Sequence, residues 1–314
     1  MRIVFFGSDI FALPSLKALL TTKHEICCVV TQPDRESGRG LHLSFTVIKS
    51  HAQASGLKIY QPQNVNTAEA IKLLKDLSPD LFIVIAYGQI LSEELLGVPK
   101  IFSINVHASL LPLYRGAAPI NWAIINGDKI TGVSVMKMAK QMDAGPVILQ
   151  KSVDIACEDT AIDLEEKLSD IGAQLLSDAL KSIQNGDYKL IPQDEKKVSF
   201  APKLKKKNGL IDWGRQAQNI YDLIRGSLSW PEAFTYHKGK LIKIYKARIG
   251  PEDILCPGCR RGEIINVSPE GLTVVTGNHN LTIEELQIEG KRIMKVKEFI
   301  IGHKFCVGEI LGER

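Results

Sequence analysis

Short runs rich in β-branched residues alternate with amphipathic stretches of helical period through the first two-thirds of the chain. The runs Arg2–Phe6, Ile26–Thr31, Leu81–Ala86, Ile101–Val106 and Gly132–Met138 predict strands, and Phe11–Leu20, Ala68–Leu77, Ala117–Asn126 and Ala161–Gln184 predict helices. Asn126-Gly127 is a favourable helix stop. This alternation predicts an α/β domain over residues 1–190, a Rossmann-like, doubly wound and mostly parallel sheet. After Ile191-Pro192 the periodicity breaks, and residues 191–208 read as a basic linker. Residues 209–314 read as a second, smaller domain. It begins with a helix over Gln216–Arg225, followed by short strands at Ala233–His237, Leu241–Ala247, Gly262–Val267, Leu272–Thr276 and Leu281–Ile288. That succession predicts an OB-like β-barrel, a fold suited to nucleic-acid contact.

Composition adds bounds. A chain of 314 residues exceeds the length of roughly 250–300 at which one core stops growing, which agrees with two domains. With 45% hydrophobic and 24% charged residues it is neither disordered nor fibrous. No apolar run reaches the roughly 20 residues of a membrane span, and the N-terminus lacks a leader pattern. A cytoplasmic protein without a membrane partner, by default a monomer, is expected.

The net charge of +4 is too small to announce a nucleic-acid partner. Its distribution says more. Between Lys196 and Lys207 lie six lysines and no acidic residue, so Lys203, Lys205, Lys206 and Lys207 form a candidate phosphate-facing strip. A solvated linker is the plainer reading of the same run. The six cysteines show no disulfide spacing and are expected to be thiols. Cys256-Pro257-Gly258-Cys259 is half of a zinc pattern without its other half, so no metal is expected.

Candidate chemistry is concentrated between Ser103 and Gly145. Gly7-Ser8-Asp9 follows the first strand, but GxGxxG is absent and a Rossmann dehydrogenase loses ground. Asn105 and His107 stand two apart at a strand end, so their side chains emerge on one face, at the carboxyl edge where open α/β sheets bind ligands. Ser109-Leu110-Leu111-Pro112-Leu113-Tyr114-Arg115-Gly116 follows, and Met136, Met138 and Met142 precede Asp143-Ala144-Gly145.

Asn-x-His, Ser-Leu-Leu-Pro-x-x-Arg-Gly and Asp-x-Gly in this order resemble the formyltetrahydrofolate-dependent formyltransferase family. The resemblance implies that Asn105, His107 and Asp143 are catalytic and that Ser109, Leu110, Leu111 and Pro112 help hold 10-formyltetrahydrofolate. Ala108 stands where the family often has glycine. Such chemistry suits these residue types. An amine adding to a formyl carbon generates an oxyanion, and preorganised donors are worth about 3 kcal/mol each there. Asn105 and a protonated His107 can donate, while Asp143 orients the imidazole and helps move protons.

The signature sets the reaction and leaves the acceptor open. The loop Gln32–Leu41 carries Arg39 between glycines and resembles the acceptor-stem loop of methionyl-tRNA formyltransferases. By that resemblance the partner is initiator methionyl-tRNA, and Arg39 probes its weak first base pair. Further matches at Ala86-Tyr87-Gly88, Ile211-Asp212-Trp213, and Pro257-Gly258 with Gly262-Glu263-Ile264 extend the resemblance over the whole chain. The alternative is a formyltransferase acting on a nucleotide-linked amino sugar, which Pro119-Ile120-Asn121-Trp122 and Trp230-Pro231-Glu232-Ala233-Phe234 would also suit.

Overall fold

The computed structural model describes residues 1–37, 42–250 and 258–312. Two compact units emerge. The first comprises Met1–Pro119, Ile130–Asp154 and Glu165–Ala201, and the second Ile120–Lys129, Ile155–Leu164 and the chain from Pro202 onward. Residues 191–201, read in the sequence as the first half of a linker, thus belong to the first unit.

Along the chain, the elements up to residue 185 are β1 (Arg2–Gly7), α1 (Leu13–Leu20), β2 (Glu25–Val30), β3 (Arg35–Ser37), β4 (His42–Ser44), α2 (Val47–Ala54), β5 (Ile59–Tyr60), α3 (Ala68–Asp76), β6 (Leu81–Ile85), α4 (Glu93–Leu96), β7 (Phe102–His107), α5 (Pro119–Ile125), β8 (Ile130–Lys137), β9 (Val147–Asp154) and α6 (Ala161–Asn185). The main sheet has the order β5-β2-β1-β6-β7-β8-β9. β5, β2, β1, β6 and β7 run parallel, whereas β8 and β9 are antiparallel additions. The sheet is therefore mixed. Its central strands are continuous apolar runs because both faces are covered, and Ile3, Val4, Phe5 and Phe6 are fully buried. On one face Val4, Phe6, Cys28, Val30, Phe82 and Val84 pack with Ile71 and Leu74 of α3. Phe6 meets Phe82 and Tyr87 edge-on at 5.0 and 5.5 Å, the geometry aromatic quadrupoles favour.

Helix starts follow local chemistry. Thr46, Thr67 and Ser92 accept backbone N–H bonds at the starts of α2, α3 and α4, each satisfying a donor that the helix leaves unpaired. α2 escapes sequence prediction because only Ile48 and Ala52 face the core. β9 escapes because it is an edge strand whose middle residues are partly or fully exposed.

The second unit contains α7 (Ala217–Gly226), β10 (Ala233–His237), β11 (Lys240–Ile249), β12 (Ile264–Ser268), β13 (Gly271–Val275), β14 (Asn280–Ile288), β15 (Met294–Lys295) and α8 (Val296–Gly302). The strands form an antiparallel sheet in the order β10-β11-β14-β13-β12, with β15 on β14. Ile220, Ile224, Ile244, Ile264, Val274, Leu281, Ile283 and Phe299 form its core. The chain end joins the two edges of this sheet. Ile264 N donates to Glu309 O, Leu311 N to Gly262 O, and Gly312 N to Tyr236 O, each at 2.8 Å. Both edge strands are thereby paired, which removes a site of unwanted association.

Cys27, Cys28, Cys157 and Cys306 are free thiols. Cys259 is disulfide-bonded, correcting the expectation of thiols throughout; Cys256 lies outside the described residues. No helix among the described residues is long and apolar enough to cross a membrane.

Candidate functional site

Strand order reverses between β1 and β6, which places a crevice at the carboxyl ends of the parallel strands. The loops leaving these strands are tied to each other. Ser8 Oγ donates to Tyr87 O at 3.0 Å, Gln32 N to Ser8 Oγ at 3.0 Å, and Gln32 Nε2 to Tyr87 O at 3.1 Å. Gln61 bonds both Gln32 O and Asp34 Oδ1, and Lys49 pairs with Asp34. The Lys49 hydrogen bond holds the Asp34 carboxyl below its ordinary value. These contacts anchor the base of the β3–β4 hairpin. Arg39 lies outside the described residues.

β7 carries the two residues singled out in the sequence to one end of the sheet. Asn105 pairs in register with Val84 of β6 and Met136 of β8, and His107 with Ser134. The Asn105 amide makes no hydrogen bond among the described residues, although its Oδ1 is buried. Buried polar atoms almost always have partners, so this one marks a place prepared for something else.

His107 is 7% exposed. Its Nε2 lies 2.9 Å from Tyr114 O, and a carbonyl can only accept, so Nε2 carries the hydrogen. Nδ1 is then the nitrogen left without a hydrogen in the neutral ring. It lies 3.7 Å from Asp143 Oδ2, beyond a normal hydrogen bond, a separation that leaves both atoms available. Asp143 Oδ2 also accepts from Gly116 N at 2.8 Å. Gly116 has φ +126°, and a Cβ there would stand 2.7 Å from Ala201 O. Only glycine brings its N–H to the carboxylate in this way.

The loop between β7 and α5 is fastened from beneath. Ser109 Oγ donates to Leu113 O at 2.6 Å, and Ser134 Oγ to Ser109 O at 2.6 Å. Gln150 Nε2 bonds Leu111 O and Ser134 Oγ, each at 2.8 Å. Ser109 and Leu111 are buried, Leu110 and Pro112 are half-buried, and Leu113 is exposed. The peptide Leu111-Pro112 is cis. Sequence reasoning missed Ser134 and Gln150, whose polarity inside a strand was the available signal.

It also missed residues 191–201. Ile191 and Val147 exchange backbone bonds at 2.8 Å, Arg115 N donates to Ser199 O at 2.9 Å, and Ala201 N to Arg115 O at 2.8 Å. Arg115, 2% exposed, bonds Gln193 and Glu195. Its hydrogen bond, and then its charge, holds the Glu195 carboxyl below its ordinary value. A buried arginine needs such a partner, so Arg115 in the motif pointed to a carboxylate that spacing could not identify.

In the second unit Lys203, Lys205, Lys206 and Lys207 are all exposed. Lys203, Lys205 and Lys207 have no ion pair among the described residues. Lys206 Nζ instead donates to Pro231 O at 3.3 Å and sits 4.7 Å from the Phe234 ring centroid. No group of three or more potential metal ligands occurs among the described residues.

Residues 1–180 match the family model described as "Formyl transferase", and residues 203–304 match "Formyl transferase, C-terminal domain". The chain is 41% identical over 313 residues to a methionyl-tRNA formyltransferase of Acetivibrio thermocellus, covering 100% of both chains. It is 45% identical over 318 residues to one of Caldanaerobacter subterraneus subsp. tengcongensis, covering 99% of this chain and 100% of the relative. An N-formyltransferase from Helicobacter canadensis, solved with folinic acid and dTDP-3-aminofucose, superposes with TM-score 0.67 at 20% identity, covering 90% and 98% of the two chains.

Proposed function

The chain belongs to the methionyl-tRNA formyltransferase family, and we propose that it transfers the formyl group of 10-formyltetrahydrofolate to the amino group of methionine carried by initiator tRNA. Agreement with named relatives along the entire chain carries this reading. The similarity to a sugar-nucleotide-bound formyltransferase, at 20% identity, speaks for the fold alone.

The reduced folate supplies the activated formyl carbon. The unengaged Asn105 amide, on the same face of β7 as His107, fits such a group, because its buried Oδ1 has no protein donor and the amide stays free to turn its polar atoms to a ligand. Asn105 Nδ2 donates to the formyl oxygen, where negative charge grows as the amine approaches. Such a donor is worth roughly 2.7–4 kcal/mol when it acts mainly in the transition state. His107 Nδ1 gives or takes a proton on the same side, and Asp143, held by Gly116 N, faces that nitrogen and orients the imidazole. The half-buried side of Leu110 and Pro112 holds the folate, while buried Ser109 and Leu111 keep that loop in shape.

Arg39 reads the first base pair of the acceptor stem. Lys203, Lys205, Lys206 and Lys207 neutralise tRNA phosphates. The joined edges of the second unit's sheet support an OB-type barrel for that RNA-facing domain. The protein acts as a monomer in the cytoplasm.

The test sets charged initiator tRNA beside a nucleotide-linked amino sugar, with the same folate donor. A kcat/KM for the tRNA at least about 10³-fold higher is expected, since an acceptor site leaves its own polar groups unpaired against the wrong substrate. A preference for the sugar would overturn the reading.

A further inference from the structure

Asp143 occupies an unusual position in the chain. Its φ of +53° lies in the left-handed region, which costs a non-glycine residue of order 1 kcal/mol unless the surroundings enforce it. Its carboxylate is fixed by Gly116 N. What fixes its backbone is one side chain. Gln193 Nε2 donates to Asp143 O and to Gly145 O, both at 2.7 Å, so both amide hydrogens are spent on carbonyls that bracket Ala144. Gln193 Oε1 in turn accepts from Arg115 Nε at 3.0 Å. Because guanidinium only donates, this bond dictates which end of the amide faces Asp143. Glu195 accepts on the far side of the guanidinium, from Nη2 at Oε1 (2.7 Å) and from Nη1 at Oε2 (3.3 Å).

These contacts form a closed circuit. Arg115 orients Gln193, Gln193 grips the backbone around Asp143, and Gly116, covalently next to Arg115, grips the Asp143 carboxylate. No other side chain among the described residues is hydrogen-bonded to both carbonyls. At Gly145 a Cβ would overlap Lys137 O, so only glycine lets the loop lie this close to that strand. We propose that Gln193, oriented by Arg115 and Glu195, is a positioning residue that sets the Asp143 carboxylate opposite His107. This inference rests on the reading that places Asp143 in the catalytic machinery.

Gln193→Glu tests it. The substitution is nearly isosteric and keeps an acceptor for Arg115, so the buried cation stays paired, but at neutral pH it offers no donor to the two carbonyls. At pH 8 kcat should fall at least about 10-fold, because displacements well under 1 Å are costly in a positioned group. KM for folate and tRNA should stay within about twofold, and the thermal midpoint should change little. As pH falls toward 5.5 the new carboxyl gains a proton and one donor, so the ratio of variant to wild-type kcat should rise. Gln193→Met, which cannot regain a donor, should show the loss without the pH recovery. Asp143→Ala runs alongside. If Asp143→Ala is severely impaired while both Gln193 variants keep kcat near wild type, or if the Gln193→Glu loss is independent of pH, the positioning role is wrong and the catalytic reading stands. If Asp143→Ala itself keeps near-wild-type activity, the catalytic reading fails and takes this inference with it.

Discussion

Replacing Asn105 by leucine should make the protein more stable and nearly inactive. The Asn105 Oδ1 is buried without a hydrogen-bond partner among the described residues, and a buried polar group in that condition costs about 1–3 kcal/mol. Leucine has a similar shape and no polar atoms, so the substitution removes this cost without opening a cavity. Backbone pairing with Val84 and Met136 is untouched, since it uses main-chain atoms. For a unit of this size, a gain of about 1–2 kcal/mol raises the thermal midpoint by roughly 2–8 °C. On the proposed mechanism the same change deletes the donor to the formyl oxygen, and loss of one such donor lowers kcat by about 10²–10³. Differential scanning calorimetry and steady-state formylation on one preparation measure both. Loss of stability in Asn105→Leu would mean that the amide has its partners in the free protein. Activity within threefold of wild type would mean that it is not the donor, and either result refutes the reasoning.

Three further expectations follow from the geometry. Gly116→Ala places a Cβ 2.7 Å from Ala201 O at φ +126°; it should destabilise the first unit by about 1–3 kcal/mol in urea titration, and lower kcat through displacement of the Asp143 contact. Burial, then the charge of Asp9 and a hydrogen bond with it, raises Glu165 to about 7. The folded state therefore binds an extra proton between the ordinary carboxyl range and pH 7, and stability should fall as pH rises through that window. Glu165→Gln should flatten this slope and recover about 1–2 kcal/mol at pH 8 after allowance for solvent screening; an unchanged pH profile of the thermal midpoint would contradict it. Replacing Lys203, Lys205 and Lys207 together by alanine should weaken binding of every tRNA alike and reduce the log–log salt slope by roughly one unit per lost phosphate contact, whereas a specific loss for initiator tRNA would assign them a reading role.

The strands of the first sheet were legible where both faces are buried, because Arg2–Phe6 and Leu81–Ala86 are continuous apolar runs. β9 was illegible because its middle residues are partly or fully exposed, and α2 because two buried residues make too weak a stripe. The direction of β8 could not be read, since an apolar run looks the same parallel or antiparallel. The two-residue spacing of Asn105 and His107 showed only that they share a face of β7; their candidacy came from the family resemblance of the motifs that follow. Gln193 was not legible. Its importance lies in contacts with carbonyls 48 and 50 residues away, and a stretch without periodicity reads as a linker whichever side it packs on. Arg115 gave half of that information, as a motif cation that must find an acid.

The central claim is that Asn105, His107 and Asp143 act together on formyl transfer to methionyl-tRNA. Single-turnover transfer of labelled formyl from 10-formyltetrahydrofolate, with enzyme in excess, measures the chemical step in wild type, the three single alanine variants and the Asn105→Ala/Asp143→Ala double variant. Each single should lower the rate by about 10² or more, and the double should lose far less than the product of its singles, as residues acting as a unit do. Losses that multiply, or a single variant at near-wild-type rate, would contradict the claim.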